Sequence, residues 1–197
     1  GPQVQAVLKK AAGLDIKRIC PLHGPVWRKD LKYYIDKHDK WSRYEPEEKG
    51  ALIVYASMYG NTEKTAQTLA TALCERGITK TAVYDVSDTD VSYLIAEAFK
   101  YSHIVLASPT YNLNIYPKMY DFLHHLKTLN FQKRTFGIIE NGTWAIKSGS
   151  LMKEFIEEEL KECLVLSAQV SVNSSPNESN MKEIEALADA LTESLKK

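Results

Sequence analysis

The sequence predicts an α/β protein built on a doubly wound, five-stranded parallel sheet, and three observations carry that expectation. Short apolar runs rich in β-branched residues recur along most of the chain, and helix-forming stretches separate them. Two of the runs, IVLAS and GIIE, are apolar without alternation, as strands covered on both faces must be. The first run breaks abruptly into a small, hydroxyl-rich turn that leads straight into a helix. Strands are expected at Ala51–Ala56, Thr81–Val86, Ile104–Ser108, Phe136–Glu140 and Leu164–Val172. Helices are expected at Thr62–Arg76, Val91–Tyr101, Pro117–Thr128, Ser150–Cys163 and Asn177–Lys196. Right-handed crossovers in such a sheet put ligands at the carboxyl ends of the strands, where the strand order reverses.

The residues ahead of this pattern form a separate piece. Residues 1–45 read as a helix (VQAVLKKAAG), a strand (DIKRICPL) and a second helix (RKDLKYYIDKHDKW). Residues 46–50, from Pro46 to Gly50, close a polar, charged stretch and read as a linker to the α/β region at 51–197. The opening Gly1-Pro2 reads as a scar left by protease removal of a tag.

Composition excludes several functions. The chain has 197 residues, 44% hydrophobic, and carries no net charge. Residues 1–49 hold 11 Lys+Arg against 7 Asp+Glu, and residues 50–197 hold 14 against 18, so the two parts sit at +4 and −4. Neither value, nor any run of basic residues interleaved with aromatics, points to nucleic acid. No apolar segment approaches the ~20 residues that span a bilayer. The N-terminus lacks the hydrophobic core of a signal peptide. Cys20, Cys74 and Cys163 are odd in number and form no CxxC, which fits reduced thiols and a cytoplasmic setting.

The chemistry gathers in three loops. Ser57-Met58-Tyr59-Gly60-Asn61-Thr62 follows the first strand and opens the helix EKTAQTLATALCER. A strand ending there delivers backbone N–H groups and the positive end of a helix dipole to one point, which favours an anion. Gly60 permits a conformation closed to other residues, and Ser57, Asn61 and Thr62 add side-chain donors, Thr62 also as the expected helix cap. The turn has no Lys or Arg and matches neither G-x-x-x-x-G-K-[ST] nor G-x-G-x-x-G, so it suits one terminal phosphate. A plain helix-capping turn would carry the same residue types.

This turn resembles the phosphate loop of flavodoxins, which binds the phosphate of flavin mononucleotide (FMN). The resemblance implies the strand order 2-1-3-4-5 and a ligand crevice between the first and third strands. Two further loops fall at that edge, Ser108 to Asn114 and Glu140 to Trp144, with Pro109-Thr110-Tyr111-Asn112 and Asn141-Gly142-Thr143-Trp144 as their candidate contacts. A planar flavin needs aromatic cover, hydrogen bonds along its pyrimidine edge and close backbone approach. Tyr111 and Trp144 offer the first, Thr110, Asn112 and Asn141 the second, and Gly142 the third. Taken singly, Trp144 reads equally as a loop aromatic, and Tyr111, with Tyr116 and Tyr120 nearby, equally as packing against the next helix.

The segment Ile19-Cys20-Pro21-Leu22-His23-Gly24-Pro25-Val26-Trp27 resembles the last ligand-bearing stretch of the metallo-β-lactamase-like domain in flavodiiron proteins. The strings SMYGNTEK, SPTYN and NGTW are similar to that family's flavin loops, in matching order. The resemblance implies FMN, a diiron centre in the intact protein with His23 as an iron ligand, and reduction of oxygen or nitric oxide. It further implies a rubredoxin-like or flavin reductase donor and a diiron domain contributed by a second subunit, and it leaves a homodimer open. Residues 1–45 would then be the C-terminal remnant of the diiron domain. The upstream His, Glu and Asp ligand segments are absent, so this chain is expected to hold no iron and to lack the terminal reductase activity. Cys20 and His23 at C-x-x-H spacing have no second pair to complete a zinc site. An alternative reading is a stand-alone FMN-dependent NAD(P)H or quinone reductase. A third reading, a flavin-free receiver domain, needs an acidic pocket for Mg²⁺ and a phosphoryl-accepting Asp at a strand end, whereas the first strand here ends in Ala-Ser-Met and the third in Ser-Pro.

Overall fold

In the computed structural model, which describes residues 1–197, the chain divides into two units, Gly1–Glu47 and Glu48–Lys197. The second holds the sheet. Its elements follow in order as β1 (Glu48–Tyr55), α3 (Asn61–Glu75), β2 (Thr81–Asp85), α4 (Val91–Lys100), β3 (Tyr101–Tyr111), β4 (Asn114–Ile115), α5 (Pro117–Thr128), β5 (Thr135–Gly142), α6 (Ser148–Glu159), β6 (Leu164–Asn173) and α7 (Glu178–Lys196). Six strands make one sheet with the path β2-β1-β3-β5-β6; those five are parallel, and β4 pairs antiparallel with the end of β3. The five expected strands thus take the expected order.

The added strand is a tight hairpin. Asn112 (φ 49°) and Leu113 (φ 59°) are both left-handed, which lets Tyr111 turn back to face Asn114.

Alternation along each strand feeds two cores. Leu52, Val54, Ile104, Leu106, Phe136 and Ile138 face α4, α5 and α6, meeting Leu94, Phe122, Leu126, Met152 and Ile156. Ala51, Ile53, Val105, Ala107, Ile139 and Val170 face α3 and α7, meeting Leu69, Leu73, Ile184, Leu187 and Leu191. Successive side chains on opposite faces explain why the strands read as unbroken apolar runs.

Several boundaries differ from the sequence expectation. Glu48, Lys49 and Gly50, read as linker, begin β1. A side chain at Gly50 would meet the Lys80 carbonyl oxygen at 2.4 Å, so the strand enters where only glycine fits. β3 starts at Tyr101 rather than Ile104, and α6 starts two residues early, at Ser148, because side chains from the sheet cap it. At the amino edge of the sheet, buried Arg134 donates to the carbonyls of Tyr101 (2.8 Å), Phe99 (2.9 Å), Gln132 and Lys133. Burial pulls its guanidinium down to about 10, still protonated at neutral pH.

The first unit contains α1 (Pro2–Ala11) and α2 (Leu31–Ser42). Gln5 Nε2 ties them through Asp39 Oδ1 (2.8 Å) and Ser42 Oγ (2.7 Å). The expected strand at DIKRICPL does not form; one antiparallel bridge, Ile19 to Trp27, replaces it. A strand needs a neighbouring strand to satisfy its backbone, and this unit offers none. Its apolar residues are left shallow: none is buried, and Leu22 is 98% exposed. No helix of the chain is long and apolar enough to cross a membrane.

Candidate functional site

The parallel register brings four loop ends together at the carboxyl edge of the sheet. Tyr55 of β1 lies opposite Ala107 of β3, Pro109 opposite Asn141 of β5, and Gly142 opposite Asn173 of β6. The loops that follow enclose two adjoining hollows. The first, about 100 Å³, is lined by Ser57, Met58, Tyr59, Asn61, Thr62, Pro109, Thr110, Asn141, Gly142, Thr143 and Ser174. The second, about 380 Å³, is lined by Thr110, Tyr111, Asn112, Leu113, Thr143, Trp144 and Ala145. Thr110 and Thr143 belong to both, so the two form one trough. Thirteen of the fourteen loop residues singled out in the sequence line it, and the fourteenth, Gly60, starts the helix beneath.

The small end is an anion cradle by construction. Gly60 is the N-cap of α3 in the left-handed conformation (φ 84°, ψ −12°), and no side chain caps the helix. The first-turn amides of α3 therefore keep their donors, and the dipole adds partial positive charge. Ser57 Oγ accepts from the Gly60 amide at 3.1 Å, which closes the turn. Thr62, expected from the sequence to cap the helix, does not do so. It lies one residue inside α3, where its side chain is buried and its Oγ1 accepts from Asn141 Nδ2 at 3.3 Å. That bond ties the turn to the loop after β5. Every side chain lining the trough is uncharged, so backbone dipoles and neutral donors would carry any anion there.

The second helix at this edge is closed. Thr110 Oγ1 accepts from the amides of Lys147 (2.9 Å) and Ser148 (3.1 Å), and Glu140 accepts from the Gly149 amide (2.8 Å). With α6 capped in this way, an anion in the trough has α3 alone to turn to. Thr110 has spent its acceptor capacity and faces the trough as a hydroxyl donor.

The wide end is aromatic and open. Trp144 is 100% exposed, and Tyr111, 42% exposed, packs edge-on against Tyr116 with ring centroids 6.0 Å apart. A planar ligand seated between their loops would gain apolar cover on both sides. Near the turn, burial and the carboxylates of Glu63, Asp85 and Asp88 push the Tyr55 phenol up to about 12, so it stays protonated.

Ser174, Leu113 and Ala145 also line the trough, and the sequence reading did not single them out. Ser174 is bound into it: its amide donates to the Gly142 carbonyl (3.0 Å), its carbonyl accepts from Asn141 Nδ2 (3.1 Å), and its hydroxyl meets Thr143 Oγ1 (3.2 Å). The signal was the Asn-Ser-Ser-Pro turn after the last strand, a fourth loop at the same edge. His23 is exposed in the first unit, and no three His, Cys, Asp or Glu side chains anywhere in the chain converge on a metal position.

Comparison with known proteins identifies the family and the fold. A family model described as the flavodoxin domain matches residues 52–171. Among curated relatives, a nitric oxide reductase of Moorella thermoacetica is 33% identical over 152 residues, covering 75% of this chain and 36% of that protein. Among solved structures, the rubredoxin oxygen:oxidoreductase of Desulfovibrio gigas superposes with a TM-score of 0.86 at 23% identity, covering 99% of this chain and 49% of the other. The flavodiiron protein of Giardia intestinalis gives 0.85 at 21% identity, covering 98% and 49%. At these identities the two structures establish the shared fold. The chain spans 30% to 46% of the length of the first curated relatives it matches. The family match covers more than half of the chain, which therefore belongs to the flavodoxin domain family.

Proposed function

We propose that this member of the flavodoxin domain family is an FMN-binding electron-transfer unit of a flavodiiron-type oxygen or nitric oxide reductase. One observation carries the reading: the uncapped α3 N-terminus opens into a trough of neutral donors whose far end is flanked by Tyr111 and Trp144. The donor set fits FMN. The amides after Gly60 and the hydroxyls of Ser57 and Thr62 would hold the phosphate, and the Thr110 hydroxyl would donate to an acceptor on the ring. Gly142 lets its loop fold back on itself, since a side chain there would meet the Ala145 carbonyl oxygen at 2.5 Å, and Tyr111 and Trp144 would cover the ring. Bound FMN would supply reversible one- and two-electron chemistry; the chain itself would bind, orient and partly shield it.

The residues of this chain do not fit a diiron centre, which needs several His and carboxylate ligands around an open site. His23 stands without other such side chains around it, and residues 1–45 would be the remnant of a diiron domain. Electrons would come from a rubredoxin-like or flavin reductase donor and pass to irons on a diiron domain outside this chain, in a second subunit of the intact protein. The names of the similar proteins support that assignment of donor and acceptor. FMN titration and elemental analysis of the purified chain test the reading. About one FMN and no stoichiometric iron are expected, with NADH oxidised only when a reductase is added. Rapid NADH oxidation by the chain alone would replace this reading with a stand-alone NAD(P)H or quinone reductase.

A further inference from the structure

Glu140 is the one carboxylate buried behind the trough, 8% exposed, and it ends the apolar run of β5 where an aliphatic side chain would be expected. It has no ion pair. Its Oε2 accepts from the Gly149 amide at 2.8 Å, and its Oε1 accepts from Gln169 Nε2 at 2.8 Å and Ser171 Oγ at 2.7 Å. The fit is tight: a side chain at Gly149 would meet Glu140 Oε2 and Gln169 Nε2 at 2.5 Å. The carboxylate thus seats the first turn of α6 on the sheet, and Asn141 and Gly142, the next two residues, line the trough. A carboxylate compensated by a helix end and neutral donors, with no cation, keeps a negative field in its low-dielectric surroundings.

We propose that Glu140 is a positioning residue that also sets the redox poise of the site, its fixed charge behind Asn141 and Gly142 disfavouring the arrival of electrons on the bound flavin. The proposal rests on the FMN reading above. Removing the charge should favour the reduced cofactor. The structure makes a clean test available, because both neighbours can reverse their hydrogen bonds. In Glu140→Gln the side-chain oxygen keeps the Gly149 amide, while the new NH₂ donates to Ser171 Oγ and to the turned amide of Gln169. Ser171→Ala keeps the charge and removes one hydrogen bond. Gln169→Lys keeps the carboxylate and neutralises it with a cation.

The experiment measures the reduction potential of bound FMN by redox titration, together with melting of the FMN-free chains. Glu140→Gln and Gln169→Lys should each favour reduced over oxidised FMN by about tenfold relative to the parent, or about 30 mV for a two-electron couple. Ser171→Ala should lower the melting temperature and leave the potential at the parent value. The proposal is overturned if the charge-removing variants bind FMN at the parent potential, or if Ser171→Ala shifts the potential as far as they do. Gln169→Lys retains the test if Glu140→Gln does not fold. A parent chain that takes up no FMN overturns the functional reading itself, a result distinct from either of these.

Discussion

Replacing Gly60 isolates the backbone conformation that makes the anion cradle. The residue sits at φ 84°, and a side chain there would meet nothing within 4 Å, so the cost of adding one is purely conformational. For an L-residue the left-handed region costs about 1–2 kcal/mol, less for Asn, whose short polar side chain tolerates it. Gly60→Ala should therefore weaken FMN by about 5- to 30-fold if the turn relaxes in the free chain and must be restored on binding. Gly60→Asn should recover most of that loss, and Gly60→Val, with its branched Cβ, should exceed it. Fluorescence titration of FMN, which is quenched on binding, reads the affinity, and melting of the free chain shows where the cost is taken up. Parent-like affinity and melting in Gly60→Ala would refute the reasoning, and so would equal losses in the Ala and Asn variants.

Thr62→Ala should weaken FMN by about ten- to a hundred-fold, because it removes a donor to a charged group, while Thr62→Ser should stay near the parent in the same titration. Riboflavin, which lacks the phosphate, should bind far more weakly than FMN; equal affinities by calorimetry would mean that Tyr111 and Trp144 dominate. Buried His103 bonds Ser102 Oγ through Nδ1 and Ser194 Oγ through Nε2, both at 2.9 Å, and burial, helped by Lys49, pulls it down to about 4 from its usual 6.5. The unfolded chain then takes up a proton that the folded chain refuses. Stability should be full above pH ~6.5 and fall by up to about 3 kcal/mol as the pH drops to ~4, a slope that denaturant melts should find flattened in His103→Gln.

The five parallel strands, their helices and the three loops could be read from residues alone, because each depends on local pattern. A strand covered on both faces must be apolar throughout, as Leu52 to Val54 and Ile104 to Leu106 are, and a turn that opens a helix needs its Gly60. The remaining features depend on neighbours distant in sequence. The strand expected at DIKRICPL failed for want of a partner, which no local pattern reveals. Thr62 read as a cap because a hydroxyl at a helix start usually is one; its partner, Asn141, comes from another strand. Ser174 entered the trough only because β6 lies beside β5, and Glu140 looked like the polar end of a strand until α6 was laid across it. Local periodicity is set by which faces of an element are buried, and a single chain carries that record. Hydrogen-bond partners across the sheet are set by register and helix placement, which only the assembled fold decides.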